Sequence, residues 1–391
     1  MAKSLFREES LGSTAILALT PKNHRMTITP LPTQRLVSLD LFRGLTMFLL
    51  VAEAAHVYDA LLELFPEGSS LHPFFLQFTH HDWNGLRFWD LIQPFFMFIV
   101  GVAMPFSLNK RLAISEDRGK VTRHILKRCL LLFLFGTGLH CIYSGKLVFE
   151  LWNVLTQLSF TVWVTYLLID KGWKIQLGTS LGLLALTEIL YRVYNPEAPF
   201  VHGTNFGNYM DQVLMGKINN GGWVAINCIP TAAHTIWGAI CGNLLLSAKP
   251  SNEKIKLFVI AGVIGLAVGY GLDWAGITPI IKRISTTAFA FAAGGWALLA
   301  LAFSYWLVDV KNNRKGIFPF LIVGMNSIFI YLFAEILARW LNKTLGIFTG
   351  GFLAWTGLGE HGLALITALA TLAALWGLCY FLYRKGIFFR I

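Results

Sequence analysis

The residues best suited to chemistry in this 391-residue chain are His80-His81-Asp82-Trp83-Asn84-Gly85, followed by Asp90 at the head of the apolar run LIQPFFMFIVGVAMPFSL. Imidazole titrates near neutrality, so paired histidines at the mouth of an apolar segment suit the transfer of a proton or an acyl group. A tandem histidine in a wet loop is more often a solvated pair than a catalyst, and spacing alone does not separate the two readings. Other ionisable and amide groups lie inside apolar runs, where they are costly unless they pair or face water. Asp40 and Arg43 are one helical turn apart, as are Glu53 and His56; His234 falls near Asn227 and Asn243, and Asn326 precedes Glu335. Such a set implies a polar path through a helix bundle, or a few interhelical hydrogen bonds.

Composition dictates what must position these groups. The chain is 55% hydrophobic and 14% charged, with a mean hydropathy of +0.59, outside the range of soluble domains. A hydrocarbon core about 30 Å thick needs about 20 apolar residues per helix. About ten such spans are expected, near 38–57, 88–107, 125–142, 151–169, 175–191, 223–247, 257–272, 286–308, 317–340 and 362–383. The fold class expected is an all-α polytopic membrane bundle. Basic residues crowd alternate loops, as in Lys110, Arg111, Arg118 and Lys120, and again in Lys311, Arg314 and Lys315. By the positive-inside rule both termini are cytoplasmic and the His80 loop is extracytoplasmic.

The same rule accounts for the formal net charge of +11, so nucleic acid is not an expected partner and membrane lipid is. The five cysteines show no paired metal-ligand spacing, and no metal is expected. Residues 1–34 read as a cytoplasmic tail, and residues 35–391 as one transmembrane domain. Asn205-Phe206-Gly207-Asn208 and Asn219-Asn220-Gly221-Gly222 read as turns in a long outer loop.

Six blocks occur in order: RLVSLDLFRGL at 35–45, HHDWNGLRFWDLIQPFFMFIVGVAMPFSL at 80–108, NVLTQL at 153–158, GGWVAINCIPTAAHTIWGAICG at 221–242, PIIKRISTTAF at 279–289 and GMNSIFIYL at 324–332. Together they resemble the heparan-alpha-glucosaminide N-acetyltransferase family over about residues 35–391, most of all its bacterial branch, which includes proteins described as sugar permeases. The resemblance implies a multi-pass acyltransferase of the bacterial inner membrane. It would take acetyl from cytoplasmic acetyl-CoA and deliver it to an amino sugar, glucosamine or a glycan end, on the other side. The family's catalytic histidine precedes Trp-Asn-Gly, which places it at His80, with His81 as the neighbouring candidate and Asp90 to orient or charge-balance it.

For the acceptor the resemblance and the polar spans suggest Trp83, Asn84, Glu53, His56, His234, Asn326 and Ser327. For the donor they suggest Arg35, Asp40, Arg43, Lys127, Arg128, Gln157 and Lys282, with Lys385 at the closing helix end; cations recognise phosphate, and topology alone also explains them. Ser285 and Thr286 fall in the same block as Lys282. The chain departs from the family at Ala54, where an asparagine is usual, which leaves Glu53 or His56 to supply a polar group, and at Leu158, where an arginine is common. Acetyl transfer to an amine needs a base near neutrality and donors for the tetrahedral oxyanion. Direct transfer and an acetyl-histidine intermediate both meet that need. An amino-sugar transporter would use the same polar bundle without catalysis, and the oligomeric state, a homo-oligomer included, is open.

Overall fold

The computed structural model describes residues 36–115, 117–353, 356–357 and 359–389; the tail expected over 1–34 and Arg35 lie outside the described residues. All regular structure among the described residues is helical. The apolar run after Leu36 forms α1 (Val37–Ala54), which breaks at Ala55 and His56 and resumes as α2 (Val57–Leu64), turned by 63°. His56 makes the break in the left-handed region, at φ 64°, which ends a right-handed helix. The loop that follows holds α3 (His72–Leu76) and a 3₁₀ turn, Phe88–Leu91, which feeds α4 (Ile92–Ser115).

The next helices begin where a side chain can satisfy free backbone N–H groups. Asp117 accepts from Gly119 N at 2.8 Å to start α5 (Arg118–Ser144), and Asn153 accepts from Leu155 N at 2.9 Å to start α6 (Val154–Leu168). After α7 (Trp173–Tyr194), Asn205 caps α8 (Phe206–Met215) by accepting from Asn208 N at 3.1 Å. The Asn205–Asn208 segment is therefore a helix start and not the turn expected. Asn219–Gly222 does form a turn, closed by Gly222 N donating to Asn219 O at 2.9 Å. Then come α9 (Cys228–Leu246), α10 (Ser251–Trp274), α11 (Thr287–Ser304) with a π-helical extension Tyr305–Val310, α12 (Phe318–Met325), α13 (Ser327–Leu353) and α14 (Glu360–Lys385). The α12–α13 pair bends by 83° at Asn326.

Five of these helices are long and apolar enough to cross a membrane, or seven if each bent pair is one span. The chain is thus a multi-pass helical membrane bundle. Of the ten spans expected, those over 151–169, 175–191 and 223–247 correspond to α6, α7 and α9. The first is only 15 residues long. The other two bury polar side chains, Gln176, Ser180 and Thr187 in α7 and Thr231, His234 and Thr235 in α9. A helix enclosed by other helices, as α9 is, needs no continuous apolar surface.

Enclosure of α9 depends on small residues. A Cβ at Gly238 would stand 2.1 Å from Phe98 O of α4, and one at Gly101 of α4 would stand 2.0 Å from Thr235 O of α9. The two backbones touch, as is usual where association in lipid relies on close van der Waals contact. This fixes α4, the helix that carries Asp90 at its mouth, at the centre of the bundle.

Candidate functional site

Two chambers open into the bundle. One, of about 510 Å³, is basic: Arg43 of α1, Arg111 of α4, and His124 and Arg128 of α5 line it, with Asp40 and Ser327. The other, of about 300 Å³, holds His80, Lys282, Trp223, Glu53 and Gln93 on its wall together with His140, Tyr143, Trp152 and Glu335. The helices α1, α4, α5, α6 and α13 contribute to both, and Phe96 and Ile328 border both chambers. The two are neighbouring compartments, separated at Phe96 and Ile328.

The histidine chamber is built on Asp90, which is 1% exposed. Its Oδ2 accepts from the backbone N–H groups of His81 at 3.2 Å and Arg87 at 3.0 Å, and its Oδ1 lies 3.1 Å from Nδ1 of His80. Arg87 in turn donates from Nη1 to His80 O and to Thr79 Oγ1, both at 2.8 Å. The loop is anchored by Gly85, whose N–H donates to Ile280 O at 2.8 Å. Gly85 sits at φ 147°, and a Cβ there would fall 2.4 Å from His81 Nε2, so glycine is required at this turn.

The Gly85 anchor brings the 279–289 segment alongside. Asn227 donates to Arg283 O at 3.0 Å, and Thr286 donates to Pro279 O at 2.6 Å while capping α11. This places Nζ of Lys282 3.0 Å from Nδ1 of His80, 3.7 Å from Asp90 Oδ1 and 5.2 Å from the ring of Trp223. Trp223 meets the His80 ring edge-on, centroids 5.8 Å apart.

Nδ1 of His80 thus faces both a carboxylate and an amine. When it carries the proton it donates to Asp90, and Nε2 is left as a base; when it accepts from the Lys282 ammonium, Nε2 carries the proton. Burial, then the adjacent Lys282 charge, holds the imidazole below its usual pKa, against the pull of Asp90. His80 is accordingly neutral at neutral pH. Burial also draws the Lys282 ammonium down to about 8, partly offset by Asp90.

The other residues singled out from sequence separate by position. Glu53 reaches the histidine chamber, where it accepts from Trp89 Nε1 at 2.7 Å; neighbouring Ala54 packs into the core. His56 does not reach it: it bonds Asp59 at 3.0 Å on a separate surface. Trp83 is also removed from the chamber, its Nε1 donating to Phe200 O at 3.0 Å and its ring set against His202, so it anchors the outer loop, and Asn84 is exposed beside it. His234 is fully buried and bonds Ala290 O at 3.0 Å, a core contact. Asn326 ties the carboxy-terminal segment by donating to Ile387 O at 3.0 Å and accepting from Phe389 N at 2.9 Å. Its pairing with an acceptor pocket is corrected by that placement, and Ser327 belongs to the basic chamber.

Among the donor candidates, Asp40, Arg43 and Arg128 line the basic chamber. Lys127 and Lys385 are exposed outside it. Gln157 bonds Gln93 between α6 and α4, and Lys282 stands in the histidine chamber instead of at a basic helix end. Sequence reasoning missed Arg111, His124, His140, Tyr143 and Trp152, which enter only through helix facing. The one signal for them was position near helix ends.

Fold and site define a multi-pass membrane protein with a histidine–carboxylate pair in an interior chamber. A family model described as a domain of unknown function (DUF5009) matches residues 35–189. The chain is 25% identical to the heparan-alpha-glucosaminide N-acetyltransferase of Homo sapiens, over 95% of this chain and 62% of that protein, and 25% identical to the one of Mus musculus, over 91% and 60%. The chain spans about three fifths of the length of these relatives. The similarity to these two N-acetyltransferases thus extends over almost the whole of this chain.

Proposed function

We propose that the protein is a transmembrane N-acetyltransferase that moves acetyl from cytoplasmic acetyl-CoA to the amine of a glucosamine-type sugar or glycan end across a bacterial inner membrane. The observation that carries this reading is His80, backed by buried Asp90, in a chamber that adjoins a second, basic one. The chemistry of the donor fits these residues: Arg128 has a buried Nε with no hydrogen-bond partner among the described residues in the wall of the basic chamber, beside Arg43 and Arg111, and guanidinium groups suit phosphate. Phe96 and Ile328 mark the shared boundary through which an extended thiol arm would pass.

In this reading Nε2 of His80 takes the amine proton, Asp90 fixes the ring and balances the imidazolium, and Lys282 keeps the ring unprotonated at rest. Direct transfer needs only one base, and the chamber supplies His80 at that place.

Proteoliposomes given labelled acetyl-CoA and glucosamine on opposite sides test the reading. Labelled N-acetylglucosamine on the sugar's side is expected; sugar uptake without acetylation would instead establish a transporter.

Lys282 gives a further expected result. Replacing it with Met removes a cation that depresses His80, so the acid limb of the pH profile of kcat/KM should move to higher pH. Activity at pH 6 should fall more than activity at pH 8, while Lys282→Arg should keep the limb in place. An unmoved limb in Lys282→Met would exclude this role.

A further inference from the structure

The histidine chamber contains the same arrangement twice. On one wall, His80 rests on Asp90, Lys282 pairs with Asp90, and Lys282 lies over the ring of Trp223, which meets His80. On the other, Nδ1 of His140 rests on Glu150 Oε2, Lys217 pairs with Glu150 Oε1, and Lys217 lies 5.8 Å over the ring of Trp152, whose centroid is 6.1 Å from that of His140. Both imidazoles and both tryptophans line the one cavity, and each carboxylate stands behind its imidazole. Burial works against the Glu150 charge, but the bonds from Lys217 and His140 hold its carboxyl below the ordinary range. The other groups facing His140 are Tyr143, with ring centroids 5.7 Å apart, and Glu335, which accepts from Tyr143 OH at 2.6 Å.

The two copies differ in one respect. Lys282 reaches the imidazole nitrogen itself, whereas Lys217 bonds only the carboxylate. The Nδ1 of His140 therefore meets a carboxylate with no lysine bonded to the ring, whereas that of His80 meets a carboxylate and an ammonium together.

We propose that His140, backed by Glu150, takes the first proton from a protonated primary amine, so that His80 acts on the neutral amine. This deepens the acetyl-transfer reading and rests on it. An aminosugar nitrogen resembles an α-amino group, with a pKa of about 7.7–8.0, and is mostly ammonium at neutral pH. The ammonium gives one proton to Nε2 of His140. The freed lone pair then forms the N–C bond, the thioester C–S bond breaks with its electron pair on sulfur, and the second N–H proton passes through His80 to that sulfur. His140 releases its proton to water, so ammonium and thioester yield amide, thiol and one proton.

The test is kcat/KM for glucosamine between pH 6.5 and 9 in wild type, His140→Gln and Glu150→Gln. Without His140 only the neutral amine reacts, about one part in twenty at pH 6.5 for an amine of pKa about 7.8. His140→Gln should thus lose about twentyfold at pH 6.5 and come within about twofold of wild type at pH 9. Glu150→Gln should follow the same trend with a smaller loss. A loss equal at all pH values, or no loss, would overturn the role of His140 while leaving acetyl transfer intact. Absence of transfer by wild type would overturn both.

Discussion

His80→Ala is expected to lower acetyl transfer at pH 7 by about 10³-fold, and Asp90→Asn by about 10²-fold, with the fold retained in both. A positioned general base contributes about 10²–10⁴-fold, and in this reading His140 takes only the first amine proton and leaves the second to His80. Asp90 acts one step back. It accepts two backbone N–H groups besides His80, so Asn at 90 keeps the oxygen contacts only in part and loses the charge that balances the imidazolium. The two variants should separate by pH: His80→Ala stays inactive from pH 6 to 9, and Asp90→Asn recovers none of its loss on the alkaline side. Radiolabelled product from detergent-solubilised enzyme reads both. Retention of a tenth or more of wild-type turnover in His80→Ala would remove His80 from the chemistry.

The pairing of His80 with Asp90 was legible because both lie within one 11-residue stretch, where the loop closes on its own 3₁₀ turn. Lys282 is 202 positions from His80, and long-range contacts, among them the backbone bond from Gly85 N to Ile280 O, bring the segments together. A lone lysine near a helix mouth reads in sequence as a phosphate contact or a topology marker. The contact with His80 gives it a different task.

Membrane class was legible from composition, and most span positions from hydropathy. The breaks at His56 and Asn326 were not, because both fall inside continuous apolar runs: one depends on a left-handed residue, the other on contact with the irregular carboxy-terminal segment. His140, Glu150 and Lys217 left no joint signal either. Their ranges in sequence are ordinary for a helix end and two loops, and only folding places them together.

Arg128→Leu is expected to raise the KM for acetyl-CoA about thirtyfold with little change in kcat. The guanidinium lines the basic chamber, its Nε buried and without a hydrogen-bond partner among the described residues. A charge-assisted hydrogen bond to phosphate is worth about 2 kcal/mol, which corresponds to about thirtyfold in affinity. Lys127, one residue earlier, is exposed and outside the chamber, so Lys127→Leu should change KM less than twofold. Acetyl-pantetheine supplies the sharper comparison, because it carries the thioester and arm without the nucleotide phosphates. Wild type and Arg128→Leu should use it equally well. If Arg128→Leu slows both donors alike, the residue supports the bundle and does not hold the donor; if it slows acetyl-CoA alone, the basic chamber is the nucleotide end of a donor site whose other end is His80.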